Sequence, residues 1–202
     1  MSPRRTEYSL IPGHDYKQGA KELHDSALFS DLTITCKGTV FKVHKMVLYV
    51  QSSFFIPYSV ASSRYAPESN ESSIDLDEDP IVFEAMLYYL YNFSCSWSGE
   101  MTAPVQAVSL YQLGDKYDIP PLRATAARRL SKSLQPLSDV EAFVDVVYAI
   151  DKNTNPKDST LLDIVMPMMK EDLLELVKVK AFSAMLSALP DVNIRLLTDL
   201  HQ

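Results

Sequence analysis

An α+β fold, a small β-sheet capped by helices and followed by an all-helical extension, is what the sequence predicts. Three observations carry that expectation. Residues 32–36 and 41–43 alternate apolar and polar side chains with the period of two that suits half-buried strands. The stretch HKMVLYV at 44–50 then switches to helical spacing without a linker. From residue 80 onward, apolar stripes at i, i+3, i+4 and i+7 recur between short polar breaks.

Composition bounds the function. Of 202 residues, 47% are hydrophobic and 22% charged, an ordinary balance for a globular protein able to bury a sizeable core. A net charge of −7 and a pI near 5.1 offer no global attraction to nucleic acid or to an anionic membrane. Apolar runs fall short of the roughly 18–20 residues that span a bilayer. Residues 1–30 lack the apolar core of a signal peptide. A cytoplasmic or nuclear protein is therefore expected. Cys36 and Cys95, one on a predicted strand and the other after a helix, do not make a disulfide framework.

The elements follow in order. Met1 to Tyr16 is polar and interrupted by proline, and reads as a loose arm. A short helix is expected from Asp15 to Leu28, with Asp15 as N-cap, Ala20, Leu23 and Ala27 on one side, and Gly19 weighing against it. Leu32, Ile34 and Cys36 point to one face of a strand, Lys37-Gly38 turns the chain, and Phe41 and Val43 return it. Ser52-Ser53 can cap a short helix through Phe54, Phe55 and Ile56, which Pro57 limits. The serine-rich residues 58–73 read as an exposed, mobile loop. Ile74 and Leu76 then mark a short strand.

Asp77-Glu78-Asp79-Pro80 is a helix start, because carboxylates suit the free amides of a first turn and proline suits N1. Phe83, Met86, Leu87 and Leu90 form that helix's buried stripe. Thr102 caps the next helix, whose stripe of Leu110, Leu113, Gly114 and Tyr117 includes a glycine read as a point of close helix packing. Pro120-Pro121 starts another, stacking Leu122, Ala126 and Leu130. Its opposite side carries Arg123, Arg128, Arg129 and Lys132, a solvated face or one that meets a phosphate or an acidic partner. Ser138 with Glu141 reads as a capping box before Val140, Phe143, Val144 and Val147. A helix led by Asp158 or Ser159 follows, kinked or ended by Pro167. An amphipathic run over 173–189 and a last helix holding Ile194, Leu197 and Leu200 complete the chain.

The stretches FSDLTITCKGTVFKVHKMVL, SSFF, IDLDEDPIVFEAMLYYLY and LYQLGDKYDIPPLRATAARRL together resemble the BTB/POZ domain, especially its form in short fungal proteins. The resemblance implies a small sheet capped by helices in antiparallel pairs. It divides the chain into an arm at 1–27, a BTB/POZ-like domain at 28–135 and a helical extension at 136–202. It further implies a non-catalytic adaptor that forms a homodimer and binds other proteins, among them a cullin-type ubiquitin ligase. The alternative is a stand-alone oligomerisation scaffold or a transcription-associated co-factor without a cullin. Leu28, Phe29, Asp31 and Lys45 are the implied dimer-interface residues. Asp31 and Lys45 either form part of a charged pocket there or serve as a local backbone cap and a solvated lysine. Tyr91 matches the tyrosine of the cullin-facing surface, with Tyr65 and Phe93 beside it. Asn92-Phe93 departs from the family's usual Thr-Gly, and 65–72 lacks the usual hydrophobic-x-Glu motif.

No residue set points to catalysis. His14, His24, His44 and His201 are scattered, and no Cys or His pair has metal-ligand spacing. Nucleophile-elbow, P-loop and dinucleotide motifs are absent, and five glycines leave little with which to cradle a phosphate by backbone alone. Asp75, Asp77, Glu78 and Asp79 lack the pattern of a calcium loop and are read as helix capping. Cys36 reads as a small buried hydrophobe, Met166, Met168 and Met169 as packing, and His44 as a brace at the strand-to-helix junction. The expectation is recognition without cofactor, metal, nucleic acid, membrane or small-molecule substrate.

Overall fold

The computed structural model describes residues 16–57, 73–96, 102–134 and 139–201. Helix α1, Tyr16–Ser26, precedes a sheet of β1 (Leu32–Cys36), β2 (Thr39–Val43) and β3 (Ser73–Leu76), ordered β2–β1–β3. Strands β1 and β2 are antiparallel, with Leu32 opposite Val43 and Cys36 opposite Thr39. Lys37 and Gly38 turn the hairpin with φ of 46° and 87°, the left-handed pair that matches strand twist. Strand β3 lies parallel to β1, with Ile34 beside Ile74. A parallel neighbour requires a crossover, and this one includes α2 (Lys45–Tyr49) and a 3₁₀ turn at Ser53–Phe55. Leu32, Ile34, Cys36 and Val43 are buried as their alternation predicts. Burial pushes the Cys36 thiol up to about 11, which keeps it protonated and inert at neutral pH.

Helix α3, Pro80–Asn92, begins where the acidic run predicts: Asp79 Oδ1 accepts the amides of Ile81 (2.8 Å) and Val82 (3.3 Å). Asp79→Ala should cost about 1 kcal/mol, roughly 2–4 °C in a thermal melt; an unchanged Tm would show the cap to be dispensable. The expected stripe of Phe83, Met86, Leu87 and Leu90 is buried, and so are Val82, Ala85, Tyr89 and Tyr91. Helices α1, α2 and α4 (Ala103–Lys116) all pack on α3, so it is covered nearly all round.

Helix α4 pairs tightly with α5, Pro120–Ser133. Gly114 makes the pairing possible: a Cβ there would lie 2.9 Å from Arg123 Cγ and 3.1 Å from its amide nitrogen. The extension contributes α6 (Val140–Asn153), α7 (Leu162–Glu171), α8 (Leu173–Leu176), α9 (Lys180–Ala188) and α10 (Pro190–Leu200). Helix α6 packs on α4 and α9, while α7 packs on α5 and α10. One apolar cluster therefore runs from Leu32 to Leu196, through sheet, helices and extension.

Several local expectations are corrected. Ser52 holds the N-cap position of the 3₁₀ turn without a side-chain cap bond; the hydroxyls of Ser52 and Ser53 instead donate to the Tyr117 carbonyl and Asp118 Oδ2, each at 2.5 Å, and tie the crossover to the end of α4. Helix α6 is capped by Asp139, which accepts the Ala142 amide at 3.0 Å; Ser138 lies outside the described residues, as do Asp15 and the loop at 58–72. Thr102 holds the N-cap position of α4 without a side-chain bond. Pro167 sits inside α7, which continues to Glu171. The expected run at 173–189 is two helices, α8 and α9. On α10 the inward residues are Val192 and Leu196, and Ile194, Leu197 and Leu200 are exposed.

Candidate protein-interaction site

The first helix ends without glycine. Ala27 (φ 52°) and Phe29 (φ 63°) both take the left-handed conformation, which costs a residue with a side chain about 1–2 kcal/mol. Ala27, expected on the helix's apolar side, instead lies beyond its end. The Ser26 hydroxyl accepts the Leu28 amide at 3.3 Å, and the Ala27 carbonyl accepts the Ser30 amide at 3.2 Å. This tight reversal puts Leu28 (60% exposed) and Phe29 (85% exposed) in solvent.

Three interactions fix the reversal to the rest of the domain. The Asp31 amide donates to the Val43 carbonyl at 3.1 Å, and Asp31 Oδ1 accepts the Lys45 amide at 2.7 Å. Asp31 thus caps the first turn of α2 from fourteen residues away in sequence; it meets Lys45 through main chain. Next, His44 Nε2 lies 2.7 Å from the Leu28 carbonyl, an acceptor only, so Nε2 carries a proton. Finally, the other side of His44 meets Tyr91: the His44 amide donates to Tyr91 Oη at 3.0 Å, and His44 Nδ1 lies 2.7 Å from the same oxygen. In the neutral imidazole, Nδ1 accepts the Tyr91 hydroxyl proton, so both ring nitrogens of His44 and its amide have partners.

Tyr91 is the correction that matters most here. Expected on a partner-facing surface, it is 1% exposed. Its ring packs against His24, with centroids 4.9 Å apart, and against His44 at 5.7 Å. Burial pushes its hydroxyl up to about 12, against the lowering pull of the His44 amide. Through His44 it braces the Leu28-Phe29 reversal from within. Phe93 is 47% exposed and caps α3 in the left-handed conformation, its amide donating to the Tyr89 carbonyl at 2.8 Å. Tyr65 lies outside the described residues.

Sequence reasoning missed the apolar face of α2. Met46, Tyr49 and Val50, at i, i+3 and i+4, are all exposed, and Met46 is 75% so. The signal was present in HKMVLYV, which carries more apolar residues than one buried stripe can use. Leu48 alone in that helix is buried. Bonds from His44 to Leu28 and from Asp31 to Lys45 tie the start of this helix to the segment that carries Leu28 and Phe29. Exposed apolar side chains thus stand on two segments joined through side-chain-to-backbone hydrogen bonds, and apolar surface of this kind is a candidate for contact with another macromolecule. Among the described residues no group of His, Cys, Asp or Glu side chains could hold a metal, and no helix is long and apolar enough to cross a membrane.

The model of the BTB/POZ domain matches residues 20–134. The chain belongs to the BTB/POZ family. Its described fold agrees: a three-stranded sheet with helices packed around it. The human kelch repeat and BTB domain-containing protein 4 is 26% identical over 133 residues, covering 66% of this chain and 23% of that protein. The BTB/POZ and MATH domain-containing protein 4 of Arabidopsis thaliana is 25% identical over 201 residues, 93% of this chain and 40% of that protein. A second such Arabidopsis protein, numbered 6, is 24% identical over 200 residues, 93% of this chain and 46% of that one. The chain thus spans between about a quarter and a half of the length of these relatives. BTB/POZ domains are protein-interaction modules and generally not catalytic, and this chain is read as one.

Proposed function

We propose that this BTB/POZ protein is a self-associating adaptor whose copies meet through Leu28, Phe29 and the Met46, Tyr49 and Val50 face of α2. The observation that carries the reading is Phe29, held almost fully exposed in a left-handed conformation by the network through His44 and Tyr91. Backbone strain used to display a phenyl ring in water makes sense where a partner covers the ring. A second copy supplies the same apolar surface in return, and symmetric pairing is the commonest closed assembly.

Sedimentation across a dilution series tests this. The wild-type chain should dimerise, and Phe29→Glu with Met46→Glu should weaken the dimer at least tenfold by burying unpaired charge. A wild-type chain that stays monomeric at high concentration overturns the reading.

Phe93 favours a second contact, with a cullin-type ligase subunit as its occupant. It offers an exposed ring at the end of α3, close in sequence to the buried Tyr91. Affinity capture should then recover a cullin, and Phe93→Ala should lose it. Capture without any cullin favours the scaffold alternative, in which self-association is the whole of the function. Cytoplasm and nucleus are the proposed locations.

A further inference from the structure

Helix α5 carries Thr125, Arg128, Arg129 and Lys132 at i, i+3, i+4 and i+7, one face of one helix. Cys95, from the segment after α3, closes against this face, and the five side chains line a cleft of about 260 Å³. Burial pushes the Cys95 thiol up, against the lowering charge of Arg129, which lines the same cleft.

Cations in this chain have carboxylates to spare, with 26 Asp and Glu against 19 Lys and Arg. Arg123 uses them, pairing with Asp115 and Asp158 at 3.0 Å each, and Arg195 pairs with Asp163. Arg128, Arg129 and Lys132 pair with no carboxylate among the described residues. Arg128 is instead oriented locally: its guanidinium donates to Thr125 Oγ1 at 3.2 Å and to the Ala124 carbonyl at 3.3 Å, while the Thr125 hydroxyl donates to the Pro121 carbonyl at 2.9 Å. Three like charges gathered on one concave face repel one another, and a bound anion relieves that repulsion.

We propose that this cleft binds the phosphate of a phosphorylated serine or threonine on a protein partner. A phosphoryl group carries about −1.5 to −2 charges at neutral pH, a match for three cations. Two guanidiniums supply the planar forks that take phosphate oxygens in pairs. The cleft is smaller than the roughly 300–1,000 Å³ of small-molecule sites, so it fits one phosphorylated side chain better than a nucleotide or an inositol polyphosphate. A nucleic-acid strand would need a longer cationic track and would meet a chain of net charge −7. The cleft uses different elements from the self-association patch and does not depend on it.

The test uses the intact chain and a degenerate phosphoserine peptide library, read by fluorescence anisotropy beside the same library without phosphate. The phosphorylated library should bind at least tenfold more tightly. It should also slow alkylation of Cys95 by iodoacetamide, with buried Cys36 as the unreactive internal reference. Arg129→Gln should abolish the preference, Arg128→Gln on the exposed flank should do the same with an unchanged circular dichroism spectrum, and Lys152→Gln on α6 should leave it intact. Equal binding of the two libraries overturns the proposal, as does a preference that survives both arginine substitutions. Binding of inositol hexakisphosphate or single-stranded RNA without any preference for the phosphopeptides also overturns it.

Discussion

Tyr91→Ala is expected to destabilise the protein by about 3–5 kcal/mol, the cost of deleting a fully buried aromatic ring, and to release Leu28 and Phe29 from their fixed display. Tyr91→Phe separates the two effects. It keeps the ring's packing against His24 and His44 but leaves the His44 amide and Nδ1 without their shared partner, at a cost of about 1–3 kcal/mol. Amide exchange at residues 27–31 should accelerate in Tyr91→Phe, because His44 links the Leu28 carbonyl to Tyr91 on α3. Exchange that stays at the wild-type rate there, alongside a lowered Tm, would mean that Tyr91 supports the core without governing the Leu28-Phe29 reversal. Alkali offers a second reading of the same group. Unfolded tyrosine titrates near 10, and Tyr91 is held up to about 12 by burial. The folded state therefore keeps its advantage below pH 10 and loses it as pH rises from about 10 to 12, where the unfolded chain ionises first. Tyr91→Phe should flatten that part of the stability profile.

That network explains what was and was not legible in the sequence. Leu32, Ile34 and Cys36 could be placed because one face of the sheet is buried and the other is not, so period and burial coincide. The same holds for Leu122, Ala126 and Leu130 on α5. His44 could be read as a brace because it stands where a strand becomes a helix without a linker. Tyr91 could not be placed inside. It lies on α3, a helix covered on nearly every side, and period distinguishes only faces that differ in their surroundings. The cover over Tyr91 comes from α1, whose apolar signal is weak: Ala20 and Leu23 with Gly19 between polar residues. Asp31 as a cap for α2 was equally hidden, since a cap supplied from fourteen positions away leaves none of the local spacing by which caps are recognised. Ala27 and Phe29 take positive φ without being glycine, so composition could not announce them. On α5, basic residues that looked equivalent divide by partner: Arg123 is spent on Asp115 and Asp158, and Arg128, Arg129 and Lys132 are not.

Gly114→Val is expected to cost about 3 kcal/mol, toward the upper end of what overpacking costs a well-filled interior. The reason lies across the helix pair. Arg123 cannot simply swing away from a new side chain, because its guanidinium is held by Asp115 Oδ1 and Asp158 Oδ2 at 3.0 Å and by Tyr111 Oη at 3.0 Å. Tyr111 in turn donates to Asp158 at 2.7 Å, so the loop leading into α7 is fastened to α4 and α5 by the same cluster. Gly114→Ala places its Cβ at 2.9 Å from Arg123 Cγ, yet alanine also gains about 1 kcal/mol of helix propensity over glycine. The net loss should therefore be small, about 1 kcal/mol. An Arg123→Ala background decides where the strain resides. Removing Cγ relieves the closer contact but leaves the amide nitrogen 3.1 Å from the new Cβ. If side-chain crowding dominates, Gly114→Ala becomes neutral or stabilising there, and the double-mutant cycle shows coupling near the whole single-mutant cost. If backbone approach dominates, the cost persists with little coupling, and the spacing of α4 and α5 is set by glycine alone. In the first case Arg123 is what ties the extension to the domain and what the glycine exists to accommodate. Denaturant midpoints of the four proteins, at constant m, separate the two.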